Sequence, residues 1–268
     1  MQVAEYNITF RQADNLFKLY MLGDVHCGTI HCAENLFKHK VIQIANEPNS
    51  YWIGMGDYGE YILPRDKRFD PSQKSIAEWV SPDDIAECQR RWLVKTLSPI
   101  KDKCIGLLYG NHENNYRIFN YSNVQQHVCD DLDVPNLGYS CFLNMRFKRE
   151  NSNETHVIKG VFTHGSSSAI TDGAKKIILG RFMTNFRGQM YGYGHMHDIL
   201  ASRRSYLEER NGIIQQVDAL GVVTGSWFRT YTQGVIASYG EQKAYPPTVI
   251  GSPYFLINAT SGTITQSE

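Results

Sequence analysis

Five short segments of this sequence carry oxygen and imidazole donors, and most of the segments contain a glycine. They are Asp24-Val25-His26, Gly56-Asp57, Gly110-Asn111-His112-Glu113, Thr163-His164-Gly165 and Gly194-His195-Met196-His197. Glycine-flanked loops allow backbone and side chains to converge on a small volume. Each segment alone is commonplace, whereas their order along one chain predicts a single shared site.

The donor types in these segments predict metal binding. Asp24 and His26, two residues apart in an extended segment, would point to the same side and bind one cation together. His195 and His197 repeat this spacing. The two carboxylate oxygens of Asp57 can reach separate ions about 3.5–4 Å apart, the spacing of two-metal hydrolases.

The expected cofactor is a pair of divalent metal ions. Asn111 would add a neutral carbonyl oxygen, which limits the negative charge gathered at the site. Oxygen and nitrogen ligands without thiolate favour Mn, Fe, Zn or Co, and we expect Mn.

Most of the donor segments follow an apolar run that predicts a strand. In the first half, strands are predicted at 17–22, 51–55 and 104–109, with helical patterns at 31–47 and 83–97 and from the Gly110 motif to 128. In the second half, strand-like runs at 139–148, 156–163, 189–193, 213–224 and 249–258 accompany one helical pattern at 172–186. We therefore expect a β-rich half packed on a βαβ half, with the donors at strand ends, where open α/β sheets place ligands.

Composition sets further expectations. A chain of 268 residues with 42% hydrophobic content can form one domain over 1–268, with residues 58–102 long enough to act as a partial lid. Lys plus Arg and Asp plus Glu are both 27, so the net charge is zero and a polyanion would have to bind to a local cluster of basic residues.

The sequence has no apolar run of roughly 20 residues and no signal peptide, so we expect a soluble, cytoplasmic protein that binds no membrane. Six cysteines without a Cys-x-x-Cys pair predict free thiols, Cys27 among them as a loop or core thiol.

The ordered motif series resembles the calcineurin-like metallophosphoesterase superfamily over residues 23–197. The resemblance implies an α/β fold, a four-layer αββα sandwich of two mixed β-sheets flanked by helices, with two metals at one edge. One metal would be held by Asp24, His26, Asp57 and His197, and the other by Asp57, Asn111, His164 and His195, with Asp57 bridging. His112 would be catalytic, facing the phosphate and stabilising charge or protonating the leaving oxygen.

The implied reaction is hydrolysis of a phosphate ester. The two cations would neutralise phosphate oxygens and lower the pKa of a bound water, so that hydroxide attacks phosphorus in line. The leading interpretation is a metal-dependent phosphodiesterase, nuclease-like in its substrate. The alternatives are a phosphomonoesterase for a phosphoprotein or small metabolite and, less favoured, a metal-binding interaction scaffold without catalysis.

The substrate contacts are the open part of this interpretation. The protein phosphatase branch extends its second motif as GDxVDRG, whereas this chain has Gly56-Asp57-Tyr58-Gly59-Glu60-Tyr61 and lacks the arginine. Arg117 is the predicted substitute clamp. Arg65, with the basic residues to 68, and Arg203-Arg204 offer local charge for a nucleic-acid backbone, although such runs are more often solvated surface. The aromatic residues of 227–231 could stack bases or cover the sheet edge.

Overall fold

The fold consists of two mixed six-stranded sheets packed face to face. The computed structural model describes residues 1–12, 15–63, 66, 69, 72 and 74–268, and only the backbone of Arg210. In spatial order, the first sheet is β1 (Gln2–Phe10), β6 (Ser140–Arg149), β7 (Thr155–Thr163), β8 (Met190–Tyr193), β10 (Ile213–Thr224) and β9 (Ile199–Arg210). The second is β12 (Ile264–Ser267), β11 (Tyr254–Asn258), β2 (Leu16–Leu22), β3 (Ser50–Met55), β4 (Cys104–Leu108) and β5 (Asn136–Gly138).

Helices cover both outer faces of the sheet pair. They are α1 (Glu34–Asn46), α2 (Ile85–Leu97), a 3-10 helix (Ser98–Lys103), α3 (Asn111–Asn120), α4 (Val124–Leu132), α5 (Asp172–Asn185) and the single-turn α6 (Tyr239–Gln242). Buried residues of α1, α2 and α4 pack on the second sheet. Leu179 and Met183 of α5 pack on the first sheet.

Strand β2 shows how the sequence pattern produces these layers. Phe17, Leu19 and Met21 point into the core between the two sheets. Tyr20 and Leu22, on the alternate face, pack in the cluster that includes the helices. A strand buried on both faces needs a continuous apolar run rather than an alternating one. The four-layer αββα sandwich predicted from the motif resemblance is thus confirmed.

Several elements differ from the sequence-based expectations. The helix predicted to continue to 128 is two helices, because Tyr121 has a left-handed backbone (φ 55°) and the Asn123 side chain caps α4 by accepting from Gln126 N at 3.2 Å. Strand β1 was not predicted, although Ala4, Tyr6, Ile8 and Phe10 alternate with polar residues. Strand β9 was also missed, and the strand predicted from 249 begins at Tyr254.

The expectations for the cysteines, for membrane spans and for the domain organisation remain to be compared with the structure. The prediction of free thiols is confirmed. All six cysteines are free, and Cys27 is buried. Among the described residues, no helix is both long and apolar enough to cross a bilayer. The single domain over 1–268 and the lid role of 58–102 stay predictions, although that stretch contains α2 and the 3-10 helix.

Candidate metal centre

The donor loops lie together at one edge of the sheet pair. Asp24 lies just beyond β2, Asp57 just beyond β3 and Asn111 just beyond β4, and these strands are parallel neighbours in the second sheet. His164 and His195 follow the parallel strands β7 and β8 of the first sheet. Because parallel strands end at the same edge, both sheets contribute side chains to one small region.

The backbone of these loops is in a conformation that non-glycine residues adopt infrequently. Asp24, His26, Asp57, His195 and His197 have φ values of 48°, 50°, 51°, 64° and 47°. Left-handed backbone at non-glycine residues costs free energy and concentrates at functional sites. The donors two residues apart therefore converge through left-handed turns, and the extended geometry expected from the sequence for Asp24 and His26 is wrong.

The first donor group is formed by Asp24, His26 and His197, whose candidate ligand atoms all lie within 4.8 Å of one another. The Nε2 atoms of His26 and His197 are 3.1 Å apart. His197 Nε2 is 3.2 Å from Asp24 Oδ1, a buried oxygen that has no hydrogen-bond partner among the described residues. Buried polar atoms are seldom left without a partner, and a cation would satisfy this oxygen.

The second donor group is formed by Asp57, His164 and His195. Asp57 Oδ2 is 3.2 Å from His164 Nε2 and 4.0 Å from His195 Nδ1. Asn111 Oδ1 lies 3.2 Å from the same His164 Nε2. Within the described chain, His195 Nδ1 is buried without a hydrogen-bond partner, so this group also has an unsatisfied atom at its centre.

Backbone N–H groups orient both carboxylates. Asp24 Oδ2 accepts from His195 N at 3.0 Å, and Asp57 Oδ1 accepts from His112 N at 2.9 Å. In each aspartate one oxygen is tied to the backbone and the other faces imidazoles. The resemblance implies that Asp57 serves both metals, whereas Asp57 lies in the second group only, and a further group joins His26 with Glu60 and His112. The assignment of the ligands to two metals and the bridging role of Asp57 stay predictions.

Two further contacts set the orientation of the histidine rings. His164 Nδ1 donates to Met55 O at 2.8 Å, and His26 Nδ1 donates to Glu60 Oε2 at 2.8 Å. A proton on Nδ1 leaves the Nε2 lone pair of a neutral imidazole for a metal ion. Sequence reasoning missed Glu60, and its position three residues after Asp57 in the same loop was the only available indication.

Glu113 braces the loops that carry Asp57 and Asn111. Its buried carboxylate accepts from the backbone N–H groups of Gly110 at 2.8 Å, Asp57 at 2.9 Å and Tyr58 at 2.8 Å. Burial and the charge of Asp57 raise the pKa of Glu113 to about 7, whereas the three N–H donors favour its ionised form. A β-carbon at Gly110 would lie 2.1 Å from Asp57 Oδ1, so only glycine fits there.

The carboxylates of the site favour positive charge on the groups beside them. Burial lowers the pKa of His164 and of His26, but Asp57 raises the former to about 10 and Glu60 raises the latter to about 9. The pKa of Asp57 is held well below its ordinary value, against its own burial, chiefly by His164. These carboxylates are balanced either by protons on imidazoles or by a metal cation, and cation binding would release the protons. The donor set therefore fits divalent metals.

The site forms the floor of an open groove of about 1360 Å³. The predicted site residues that line it are His26, Asp57, Asn111, His112, His195 and His197. His112 Nδ1 lies 2.6 Å from Glu60 O, an arrangement in which Nδ1–H donates to this carbonyl. The ring of His112 also lies against that of His26, with centroids 4.7 Å apart.

The predicted substrate-binding arginines are elsewhere or outside the described residues. Arg117 is exposed and donates to Asn114 Oδ1 at 3.0 Å, and it is not among the described residues that line the groove. Arg65 lies outside the described residues, as do Lys67 and Arg68. The clamp roles of Arg117 and Arg65 stay predictions.

Two aromatic residues of segment 227–231 have different surroundings, and base stacking by this segment stays a prediction. Trp227 is buried, with its ring 5.3 Å from that of Phe37, and belongs to the packing under the sheet edge. Phe228 is half-buried in the groove, with its ring centroid 5.3 Å from that of His26 and 5.9 Å from that of His197.

Comparison with known proteins gives matches among solved structures alone. No protein-family model and no curated protein matches the chain. A protein from Streptococcus pneumoniae TIGR4 described as a predicted phosphoesterase is 11% identical with a TM-score of 0.35, covering 91% of this chain and 83% of that one. GAP50 of Plasmodium, described as the anchor in the inner membrane complex, is 12% identical with a TM-score of 0.46, covering 94% and 88%. Vps29 of Entamoeba histolytica, complexed with Zn²⁺, is 11% identical with a TM-score of 0.35, covering 94% and 97%. Likenesses this distant carry nothing about activity.

Proposed function

We propose that this chain is a metal-dependent phosphoesterase that hydrolyses phosphodiesters through two divalent metal ions. The observation that supports the proposal is the convergence of two donor groups, Asp24-His26-His197 and Asp57-His164-His195, on the floor of one groove. Each group contains a buried atom that a cation would satisfy. His112 lies beside both groups in the same groove.

The residues present suit two cations of the Mn, Fe, Zn and Co type, and we propose Mn. Asp24, His26 and His197 would hold one ion, and Asp57, Asn111, His164 and His195 the other. Bound ions of this kind neutralise phosphate oxygens and lower the pKa of water at the site. The protein contributes the left-handed loops that fix the donors and the contacts that orient each imidazole.

His112 is proposed to supply the proton to the leaving oxygen. Its Nδ1 is engaged by Glu60 O, and its backbone N–H is engaged by Asp57 Oδ1. The first contact orients the ring and the second holds the backbone of His112 against Asp57, and the residue lines the groove. General acids placed in this way contribute about 10²–10⁴-fold to rate when the leaving group is basic.

The size of the groove is compatible with a diester substrate. Besides residues of the metal centre, Ser167, Lys175, Phe228 and Val249 line it, and its volume of about 1360 Å³ gives space for two substituents on phosphorus. Two cations among the described residues line the groove: Lys175 is buried and bound to Asp198 at 2.9 Å, whereas Lys243 is exposed. Lys243 is the cation that a dianionic monoester would have to use, so the preference for a diester is proposed from the volume of the groove.

The proposal is tested with purified protein loaded with Mn²⁺. Metal content is measured by mass spectrometry, and hydrolysis is compared with bis(p-nitrophenyl) phosphate and p-nitrophenyl phosphate. We expect two metal ions per chain and a kcat/KM that is higher for the diester. A preference for the monoester would assign the chain to the phosphomonoesterases. Two bound metals without hydrolysis of either ester would instead favour the interaction scaffold.

A further inference from the structure

The groove wall next to the metal centre contains a buried histidine that the proposed reaction does not use. His31 is only 3% exposed and lines the groove. Its Nδ1 lies 3.2 Å from Thr232 Oγ1, whereas its Nε2 has no hydrogen-bond partner among the described residues. An unsatisfied buried nitrogen is unfavourable unless a ligand or an ordered water completes it.

Phe228 connects this histidine to the metal centre. Its ring centroid is 5.6 Å from that of His31 and 5.3 Å from that of His26, a proposed metal ligand. Phe228, His31 and Thr230 all line the groove that contains the metal centre. A phosphate ester bound at the metals would therefore extend one of its organic groups along Phe228 towards His31.

The wall that carries these side chains is preorganised. Trp227 N donates to Asp24 O at 2.9 Å, and Arg229 N donates to His31 O at 2.9 Å. Thr248 Oγ1 donates to Phe228 O at 2.5 Å. Hydrogen bonds on both sides of Phe228 thus fix the ring relative to His31 and to the metal-binding loop, which lowers the entropic cost of binding a ligand there.

The part of the groove wall formed by Phe228, His31 and Thr230 offers a ligand one aromatic ring and one hydrogen-bonding group, the imidazole of His31. Phe228 and Thr230 are uncharged, and burial lowers the pKa of His31, which keeps its imidazole neutral at neutral pH. A neutral imidazole beside an aromatic ring suits a flat group with polar atoms at its edge. Nucleobases have this form, and stacking on aromatic side chains is a general mode of binding them.

We propose that Phe228 and His31 form a subsite for a flat aromatic substituent of the phosphate ester, of the nucleobase type, with Phe228 contacting its face and His31 Nε2 its polar edge. This inference rests on the proposed phosphodiesterase function and specifies its substrate class. The nucleobase could belong to a small nucleotide diester or to a single-stranded nucleic acid. Both share the same recognition chemistry at Phe228 and His31.

The test compares two esters that share one leaving group. They are the p-nitrophenyl ester of thymidine 5′-phosphate and methyl p-nitrophenyl phosphate, measured at saturating Mn²⁺. We expect the kcat/KM of the nucleoside ester to exceed that of the methyl ester by about tenfold or more, as stacking of one base allows. If the two esters have equal kcat/KM values, and if variants of the subsite residues leave these values unchanged, the subsite is overturned and the phosphodiesterase proposal stays intact.

Two variants assign the preference to residues. His31→Phe keeps a ring against Phe228 but removes the nitrogen, and it should reduce the preference about 3–10-fold, the loss of one hydrogen bond. Phe228→Leu keeps an apolar side chain without the ring face and should reduce it similarly. Because Phe228 contacts His26, the metal affinity of Phe228→Leu is measured beside its kinetics. The control is His39→Phe, a change at an exposed histidine of α1.

Direct binding separates this inference from the reaction. Titration calorimetry of the Mn²⁺-loaded protein with thymidine 5′-phosphate and with methyl phosphate should give tighter binding of the nucleotide, and His31→Phe should reduce this difference in affinity about 3–10-fold. This result supports the subsite even if neither ester is hydrolysed, whereas equal binding of the two phosphates overturns it. Cleavage of oligothymidylate is then compared with cleavage of the p-nitrophenyl ester of thymidine 5′-phosphate. Similar kcat/KM values would show that the base belongs to a nucleic-acid chain. Cleavage of the p-nitrophenyl ester alone would show that it belongs to a small nucleotide.

Discussion

The floor and the wall of the groove are built differently. The donor floor is formed by residues that lie on tight loops after strands and, for one of them, at the first residue of α3: Asp24, His26, Asp57, Asn111, His164, His195 and His197. The wall segment, residues 226–250, is largely irregular and is held by side chain to backbone bonds such as Thr230 Oγ1 to Pro246 O at 3.1 Å and Ser238 Oγ to Thr230 O at 2.6 Å. Buried carboxylates orient the floor, whereas hydroxyl groups fold the wall.

The two regions have separate roles in the proposed function. The floor must place particular oxygen and nitrogen atoms within a few tenths of an ångström, so it tolerates few substitutions. The wall has to offer a shape and one hydrogen-bonding group. We therefore expect changes in the floor to affect metal binding and rate, and changes in the wall to affect which ester is preferred.

The largest effect is expected for Asp57→Asn in the floor. The carboxylate lies among His164, His195 and the backbone N–H of His112, so its charge serves the whole second donor group. Activity should be lost, and both metals should bind more weakly if Asp57 bridges them. Metal content and calorimetric affinity measure this, with Asp218→Asn on the exposed face of β10 as the control. An unchanged metal stoichiometry would contradict the bridging role.

His112→Ala is expected to separate rate from metal binding. The side chain lines the groove next to the donors, and it is proposed to donate a proton rather than to bind metal. Turnover of an ester with an alkoxide leaving group should fall about 10²–10⁴-fold, with both metals retained. The p-nitrophenyl ester, whose leaving group needs no proton, should lose much less. Equal losses with both leaving groups would rule out His112 as the acid.

Glu60→Gln is expected to weaken metal binding without removing a ligand. Glu60 Oε2 accepts from His26 Nδ1, and carboxylates in this position are worth about 10–100-fold in metal affinity. The Mn²⁺ concentration for half-maximal activity should rise in this range, while the rate at saturating Mn²⁺ stays near that of the unchanged protein. Glu34→Gln, at a glutamate bonded to Trp79 on the same side of the second sheet, is the control. Calorimetric Mn²⁺ affinity equal to that of the unchanged protein would show that Glu60 does not support His26.

The smallest effect is expected for the free energy of unfolding when Glu87 of α2, outside the floor and the wall, is replaced. Hydrogen bonds from Arg90 and Arg91 lower the pKa of Glu87 on α2 to about 2. The folded pKa is below the unfolded value of 4.5, so this glutamate stabilises the fold above pH 4.5, and the contribution is lost as pH falls towards 2. Because the group is partly exposed, Glu87→Gln should cost about 0.5–1 kcal/mol at pH 7 and nothing near pH 2. Urea unfolding at both pH values measures the difference, and a cost that persists near pH 2 would contradict it.

The donor types and the main elements that carry them can be read from the local sequence. Strand β2, strand β3 and helix α1 follow from local apolar patterns. Such a pattern can be recognised within one segment, because it reflects only which residues of that segment are buried. The resemblance carried by the five ordered motifs implies the sandwich fold, which is confirmed, and seven metal ligands, which stay predictions. Strand β1 also has a detectable alternation of apolar and polar residues.

Which atoms face one another depends on the tertiary fold. Glu60 contacts His26 of a different loop, and Glu113 of α3 accepts from Asp57 N and Tyr58 N of another loop. His31 meets Phe228 and Thr232 about 200 residues later in the chain. The left-handed turns at Asp24 and His26 likewise depend on contacts between loops, since isolated residues of these types prefer other conformations. Local sequence patterns encode burial and periodicity, whereas orientation of ligands and completion of a subsite arise from long-range packing of the two sheets.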